Sequence, residues 1–181
     1  MSKLRDCIDQ ELTHWLGEQH VFFVATAPLS EQGHVNCSPK GGDSFRVLGP
    51  MEAAYLDYTG SGAETAAHLR ENGRIILMFC AFIGKPDIVR LHGTGEVIEP
   101  DDSRFEALAA HFPPNPGARA VVHVRVTRVS TSCGYAVPFM EYQKERETLD
   151  KWAAAKGENA LQEYRAAKNA QSIDGLAAFS D

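Results

Sequence analysis

The sequence has no long apolar run, no closely spaced cysteine pair and no surplus of positive charge. Each lack excludes something. The longest apolar stretches, such as Ile75–Phe79, fall far short of the ~20 residues a helix needs to span a bilayer. The four cysteines, Cys7, Cys37, Cys80 and Cys133, lie far apart with no C-x-x-C, which suits a reducing compartment better than a disulfide scaffold. The opening MSKLRDCIDQELTHWL is charged throughout and holds no apolar signal core, so a soluble cytoplasmic protein is expected. The formal net charge is −6. A nucleic-acid binder needs a basic field and this chain has none, which leaves room only for a local anion site. The dinucleotide loop Gly-x-Gly-x-x-Gly, the phosphate loop ending Gly-Lys-Ser/Thr and the zinc motif His-Glu-x-x-His are all missing. Seven histidines, at positions 14, 20, 34, 68, 92, 111 and 123, are too scattered for a metal motif, and no metal is expected. Cys133 lacks the surroundings of a nucleophile and reads as a buried or strand-end thiol.

What is present is an ordinary globular composition. The chain has 181 residues, 44% of them hydrophobic. A chain of this size buries roughly 70% of its surface on folding, enough for one self-sufficient domain. Leu4, Ile8, Leu12, Trp15 and Leu16 make one face of a helix over residues 3–18. VFFVATAP (21–28) and HVNCSP (34–39) read as a hairpin, with Pro39 marking an edge or a strand end. Residues 40–50 read as a loop, AAYLDYT (53–59) as a strand, and 63–72 as a short helix closed by Gly73. RIILMFCAF (74–82) and residues 88–100 are strands, the second with a bend at Gly93 and Gly95. Residues 101–112 suit a helix with a Ser103–Glu106 capping box. In residues 120–130, Val122, Val124 and Val126 face one way and His123, Arg125 and Thr127 the other, as in a half-buried antiparallel strand. Residues 141–170 suit two helices broken at Lys156–Gly157, burying Tyr142, Leu149, Trp152, Ala153, Leu161, Tyr164 and Ala167. The sum is mainly β with flanking helices (α+β): six to seven antiparallel strands in a small barrel and a helical C-terminus. A split into residues 1–140 and a helical extension 141–181 is expected.

Two short segments carry the chemistry. Tyr58-Thr59-Gly60-Ser61-Gly62 runs from a strand through a glycine turn into a helix start. Free N–H groups and the helix dipole suit such a place to a phosphate, with Thr59, Ser61 and Thr65 as hydroxyl donors. The plainer alternative is a turn with Thr59 or Ser61 as N-cap. Ser38-Pro39-Lys40-Gly41-Gly42 places a lysine at a strand end beside two glycines, and Lys40 could complete a phosphate clamp.

SPKGG (38–42), YLDYTGSGAETAAHLRENGRI (55–75) and VRLHGTGEVI (89–98), in that order, resemble the pyridoxamine 5′-phosphate oxidase-like flavoproteins over roughly residues 5–130. The resemblance implies a split β-barrel, a homodimer with FMN at the subunit interface, and a cytoplasmic oxidoreductase acting on an unknown small substrate with a reduced nicotinamide or oxygen. The alternative within the same fold is a non-catalytic flavin or haem carrier; other relatives use deazaflavin. It assigns cofactor contacts to Ser38, Lys40, Tyr58, Thr59, Ser61 and Thr65, with Arg90 near the dimer interface. Tyr135, in TSCGYAVPFMEY (131–142), would reach the partner's flavin or serve as a core or interface aromatic. Where the oxidase has Arg-Lys at the helix start, this chain has Glu64-Thr65. Phosphate binding then leans on Lys40 and backbone amides, or on another arginine such as Arg74. The C-terminal Arg-x-His substrate motif of the oxidase is missing from the C-terminal region, which argues against pyridoxamine phosphate oxidation itself.

Overall fold

The valine alternation before residue 133 becomes the longest strand of one antiparallel sheet. The computed structural model describes residues 3–179; the outermost ends of the two expected segments lie outside them. In chain order the elements are β1 (Lys3–Arg5), α1 (Gln10–Gly17), β2 (Phe22–Thr26), β3 (Asn36–Lys40), β4 (Phe45–Gly49), β5 (Glu52–Tyr58), α2 (Glu64–Asn72), β6 (Arg74–Cys80), β7 (Asp87–Ile98), α3 (Phe105–Ala109), β8 (Ala118–Cys133) and α4 (Thr148–Asn169). The sheet runs β3-β2-β6-β7-β8-β5-β4, with β1 added on β8. It curls around Phe22, Phe45, Tyr55 and Phe79, whose rings meet at centroid distances of 4.8–5.7 Å. Burying each such ring contributes about 1.5–3 kcal/mol. Leu12 and Leu16 of α1 join this core.

The curl needs one glycine in particular. The β7–β8 register shifts between His92 and Gly93. A Cβ on Gly93 would lie 2.3 Å from the Arg125 carbonyl oxygen, so only glycine admits this bulge. Gly73 closes α2 as expected, in the left-handed conformation at φ 71°.

Several local expectations are corrected. Residues 3–5 form a strand because they pair with Val129–Thr131 of β8. Helix α1 starts only at Gln10, where Asp9 Oδ1 accepts from the Leu12 N–H. The expected loop 40–50 contains β4, paired on β5, and the described residues form eight strands rather than six or seven. The Ser103–Glu106 box does not form: α3 is capped by Arg104 without a side-chain bond, and Asp102 holds the Arg104 N–H instead. The C-terminal break falls at Gly157, at φ 71° and ψ 167°. Residues 141–147 are not helical, and Tyr142 is exposed rather than buried.

Candidate functional site

The ends of β3 and β5 open onto a cleft of about 1300 Å³. Its walls are Pro39–Asp43 at the end of β3, Tyr58–Gly60 at the end of β5, the last turn of α1, the 82–85 turn and residues from 140 to 150. Two segments distant in sequence meet at its rim. Tyr142 stacks on His20 at 3.5 Å between ring centroids and donates to Glu145 through its hydroxyl.

A buried ion cluster anchors the β3 and β5 ends. Lys40 Nζ is 2.6 Å from Asp57 Oδ1, and Arg119 Nε of β8 is 2.8 Å from Oδ2. Burial pushes the Asp57 carboxyl up, but Lys40 and Arg119 together hold it below the ordinary carboxylate range. Burial raises the Tyr58 phenol to about 12, helped by Asp150 and Asp43, so the group stays protonated. Its hydroxyl donates to the Gly42 carbonyl, a residue held at φ 72°. Tyr55, fully buried where Tyr58 is half-buried, has a hydroxyl without a partner among the described residues.

The sequence-predicted residues divide into three groups. Lys40, Tyr58 and Thr59 meet at the cleft. Ser38 and Thr65 meet beside it through Asn36. The Ser38 hydroxyl donates to Asn36 Oδ1, and Asn36 Nδ2 donates to Thr65 Oγ1 and Thr26 Oγ1. Ser61 is exposed in the turn. Arg90 and Tyr135 do not reach the cleft in this chain: Arg90 donates to Ser132 on β8, and Tyr135 is 84% exposed. Arg74 is turned away as well, at the far end of α2, donating to the Pro28 carbonyl.

The helix start carries its own signature. The α2 N-cap is Ala63, not Thr59 or Ser61, and no side chain caps it. Thr59 Oγ1 instead accepts from Arg165 Nε of α4, and Asn169 Nδ2 donates to the Gly60 carbonyl. Arg119 Nη2 donates to the Gly62 carbonyl, while its Nη1 is buried without a partner among the described residues. An uncapped helix start beside an orphaned guanidinium N–H suits an anionic group, and the roomy cleft next to it has space for a larger ligand. Sequence reading missed Asp57, Arg119 and Arg165. The signal for the first was a lone carboxylate inside the apolar strand AAYLDY, and for the second an arginine at the start of the valine alternation; α4 offered none.

Comparison with known proteins gives the family and the fold. Residues 8–133 match the sequence profile of the family described as pyridoxamine 5′-phosphate oxidase. The pyridoxamine 5′-phosphate oxidase family protein ustO of Aspergillus flavus is 40% identical over 190 residues, spanning 94% of this chain and 75% of that protein. Among solved structures, a candidate pyridoxamine 5′-phosphate oxidase from Lactobacillus delbrueckii aligns at a TM-score of 0.52 and 23% identity, covering 70% of this chain and 98% of that one. An FAD-binding protein from Mesorhizobium loti aligns at 0.50 and 14% identity, covering 72% and 96%. Both share the antiparallel split-barrel fold with flanking helices.

Proposed function

The chain belongs to the pyridoxamine 5′-phosphate oxidase family, and from that premise we propose that it is a flavoprotein holding FMN at the cleft between the β3 and β5 ends. The observation that carries this reading is the convergence of Lys40, Tyr58 and Thr59 on one cleft beside the uncapped start of α2. A bound flavin would supply electron transfer between a reduced nicotinamide or oxygen and a small substrate, which makes the protein an FMN-dependent oxidoreductase. The chain's own residues bind and orient. Tyr58, protonated at neutral pH, fixes the Gly42 backbone at the cleft wall. Lys40 pairs with Asp57 and lines the cleft. Ser38, Ser61 and Thr65 offer hydroxyls along the edge that leads to α2.

The working unit in this proposal is a homodimer with the flavin at the interface. Exposed apolar side chains support it: Val35 beside β3 and Tyr135 and Phe139 after β8 are 75%, 84% and 84% exposed. A second chain would cover them and bring Arg90 and Tyr135 toward the neighbouring cleft. The four free cysteines accord with a cytoplasmic setting. Among the described residues, no helix is long and apolar enough to cross a membrane.

One observation favours a non-catalytic flavin or haem carrier as the second reading: the lysine that lines the cleft is already paired with Asp57. The absorbance of the purified protein separates the two. A flavin spectrum bleached by NADH or NADPH supports the oxidoreductase. A flavin that neither nucleotide reduces supports the carrier, and a Soret band would specify haem.

A further inference from the structure

A second cavity, of about 520 Å³, lies between α3, the 113–116 segment and α4. That volume is in the usual range for small-molecule sites. Leu56 of β5, Phe105 of α3, and Ala153, Ala154 and Leu161 of α4 give it apolar walls. Pro100, Pro113, Pro114 and Pro116 supply much of the rest. Prolines carry no backbone N–H and have a fixed φ, so this wall is stiff and short of donors. Water in such a place finds few polar partners, and an apolar molecule displaces it with a gain.

Helix α4 is anchored on both sides of the cavity and broken between the anchors. On one side Ala153 is fully buried, and its Cβ lies 3.3 Å from where a Cβ on Gly117 would stand. On the other side Leu161 is buried, and Arg165 donates to Thr59 Oγ1 and to the Ala118 carbonyl. Between them Gly157, itself part of the cavity wall, takes φ 71° and ψ 167°, a conformation that glycine adopts and other residues resist. Among the described residues, no atom outside its neighbours in the helix lies within 4 Å of a Cβ built on Gly157. Crowding therefore does not force the break, and the break shapes the wall.

Charge decides the class of ligand. The two charged residues of the lining, Glu158 and Arg165, have opposite signs. Burial and then Arg119 lower the Arg165 pKa, and Glu158 raises it, so the glutamate partly offsets the guanidinium. Arg165 is also committed to Thr59 and Ala118 through Nε and Nη2. An ionic ligand would meet one attracting and one repelling group, whereas an uncharged one meets no such conflict. We propose that the cavity beneath α4 is a binding site for an uncharged, compact apolar molecule. It is separate from the cleft and does not depend on the flavin reading.

The full-length protein, with isotope-labelled alanine and leucine methyls, is titrated with benzyl alcohol and followed by NMR. The methyls of Ala153, Ala154 and Leu161 are expected to shift saturably, while Leu149, which lines the cleft, stays unmoved. Ala154→Phe puts a ring into the cavity from an exposed helix position, so the variant folds, and it should weaken binding about tenfold or more. Ala155→Phe, exposed and outside the lining, should bind as the wild type does. Benzoate, of similar shape but charged, should bind about tenfold more weakly than benzyl alcohol. Shifts that do not saturate, or that persist unchanged in Ala154→Phe, would overturn the site. Benzoate binding as tightly as benzyl alcohol would overturn the uncharged class. Cavity methyls that respond to protein concentration and not to benzyl alcohol would assign this surface to a second copy of the chain, and so overturn a small-molecule site.

Discussion

Asp57 is the residue on which the site's geometry turns. It is 5% exposed in its side chain and receives Lys40 from β3 and Arg119 from β8, so three strands meet at one carboxylate. Removing the negative charge leaves two cations facing each other in a dry place. Asp57→Asn keeps the shape and should cost about 3–5 kcal/mol of stability, measured by urea unfolding; a loss under 1 kcal/mol would show that the cluster is solvated. The carboxyl is held below its ordinary 3.8, so the unfolded chain takes up the proton first. This contribution is present above pH 3.8 and disappears as the pH falls through and below it.

At the scale of elements, α2 is tied to the hairpin β2–β3 by a buried polar chain. Thr26 Oγ1 meets His68 Nδ1 at 2.9 Å, and Asn36 joins Thr26 to Thr65. His68 is fully buried, and burial lowers its pKa below the ordinary 6.5 although Asp174, Glu71 and Glu64 pull the other way. The unfolded chain therefore binds the proton first as the pH drops below about 6.5, and stability should fall from there downward. His68→Gln should flatten part of that slope in urea midpoints taken between pH 7 and 5. A slope identical to the wild type's would mean that His68 titrates as freely in the fold as in the unfolded chain. The β7–β8 ribbon supplies a second check. Gly93→Ala drives a Cβ into the Arg125 carbonyl and should cost about 2–3 kcal/mol. Full stability in the variant would mean that the bulge relaxes freely.

The same elements show what sequence can and cannot say. Strong local signals survive in the fold: the valines of β8, the glycine after α2, the bend at Gly93 and the break at Gly157. Each is a property of one residue's backbone or of a period-two pattern. The strands β1 and β4 were missed because their stability comes from partners, β8 and β5, that are remote in sequence or hidden behind a turn. The Ser103–Glu106 box fails because α3 begins at Phe105 with Arg104 as its N-cap, one residue later than a Ser103 cap requires. Candidate site residues within 38–65 were legible as a motif. Arg119 and Arg165 were not, because only the tertiary fold carries them to the turn.

On the scale of the whole molecule, a chain of net charge −6 keeps a buried cluster of Lys40, Arg119 and Asp57 at the ends of β3 and β5. The exposed apolar side chains of Val35, Tyr135 and Phe139 give the proposed homodimer a surface to bury. Light scattering should return twice the 19.8 kDa of one chain. A monomer that binds flavin fully would remove the interface from the account. The central claim is that the cleft and the turn beside it hold FMN. It is tested most directly by titrating the flavin-free full-length protein with FMN and following the quenching of flavin fluorescence. Saturable binding, tighter than that of riboflavin, is the predicted result; an FMN fluorescence unchanged by excess protein would contradict it.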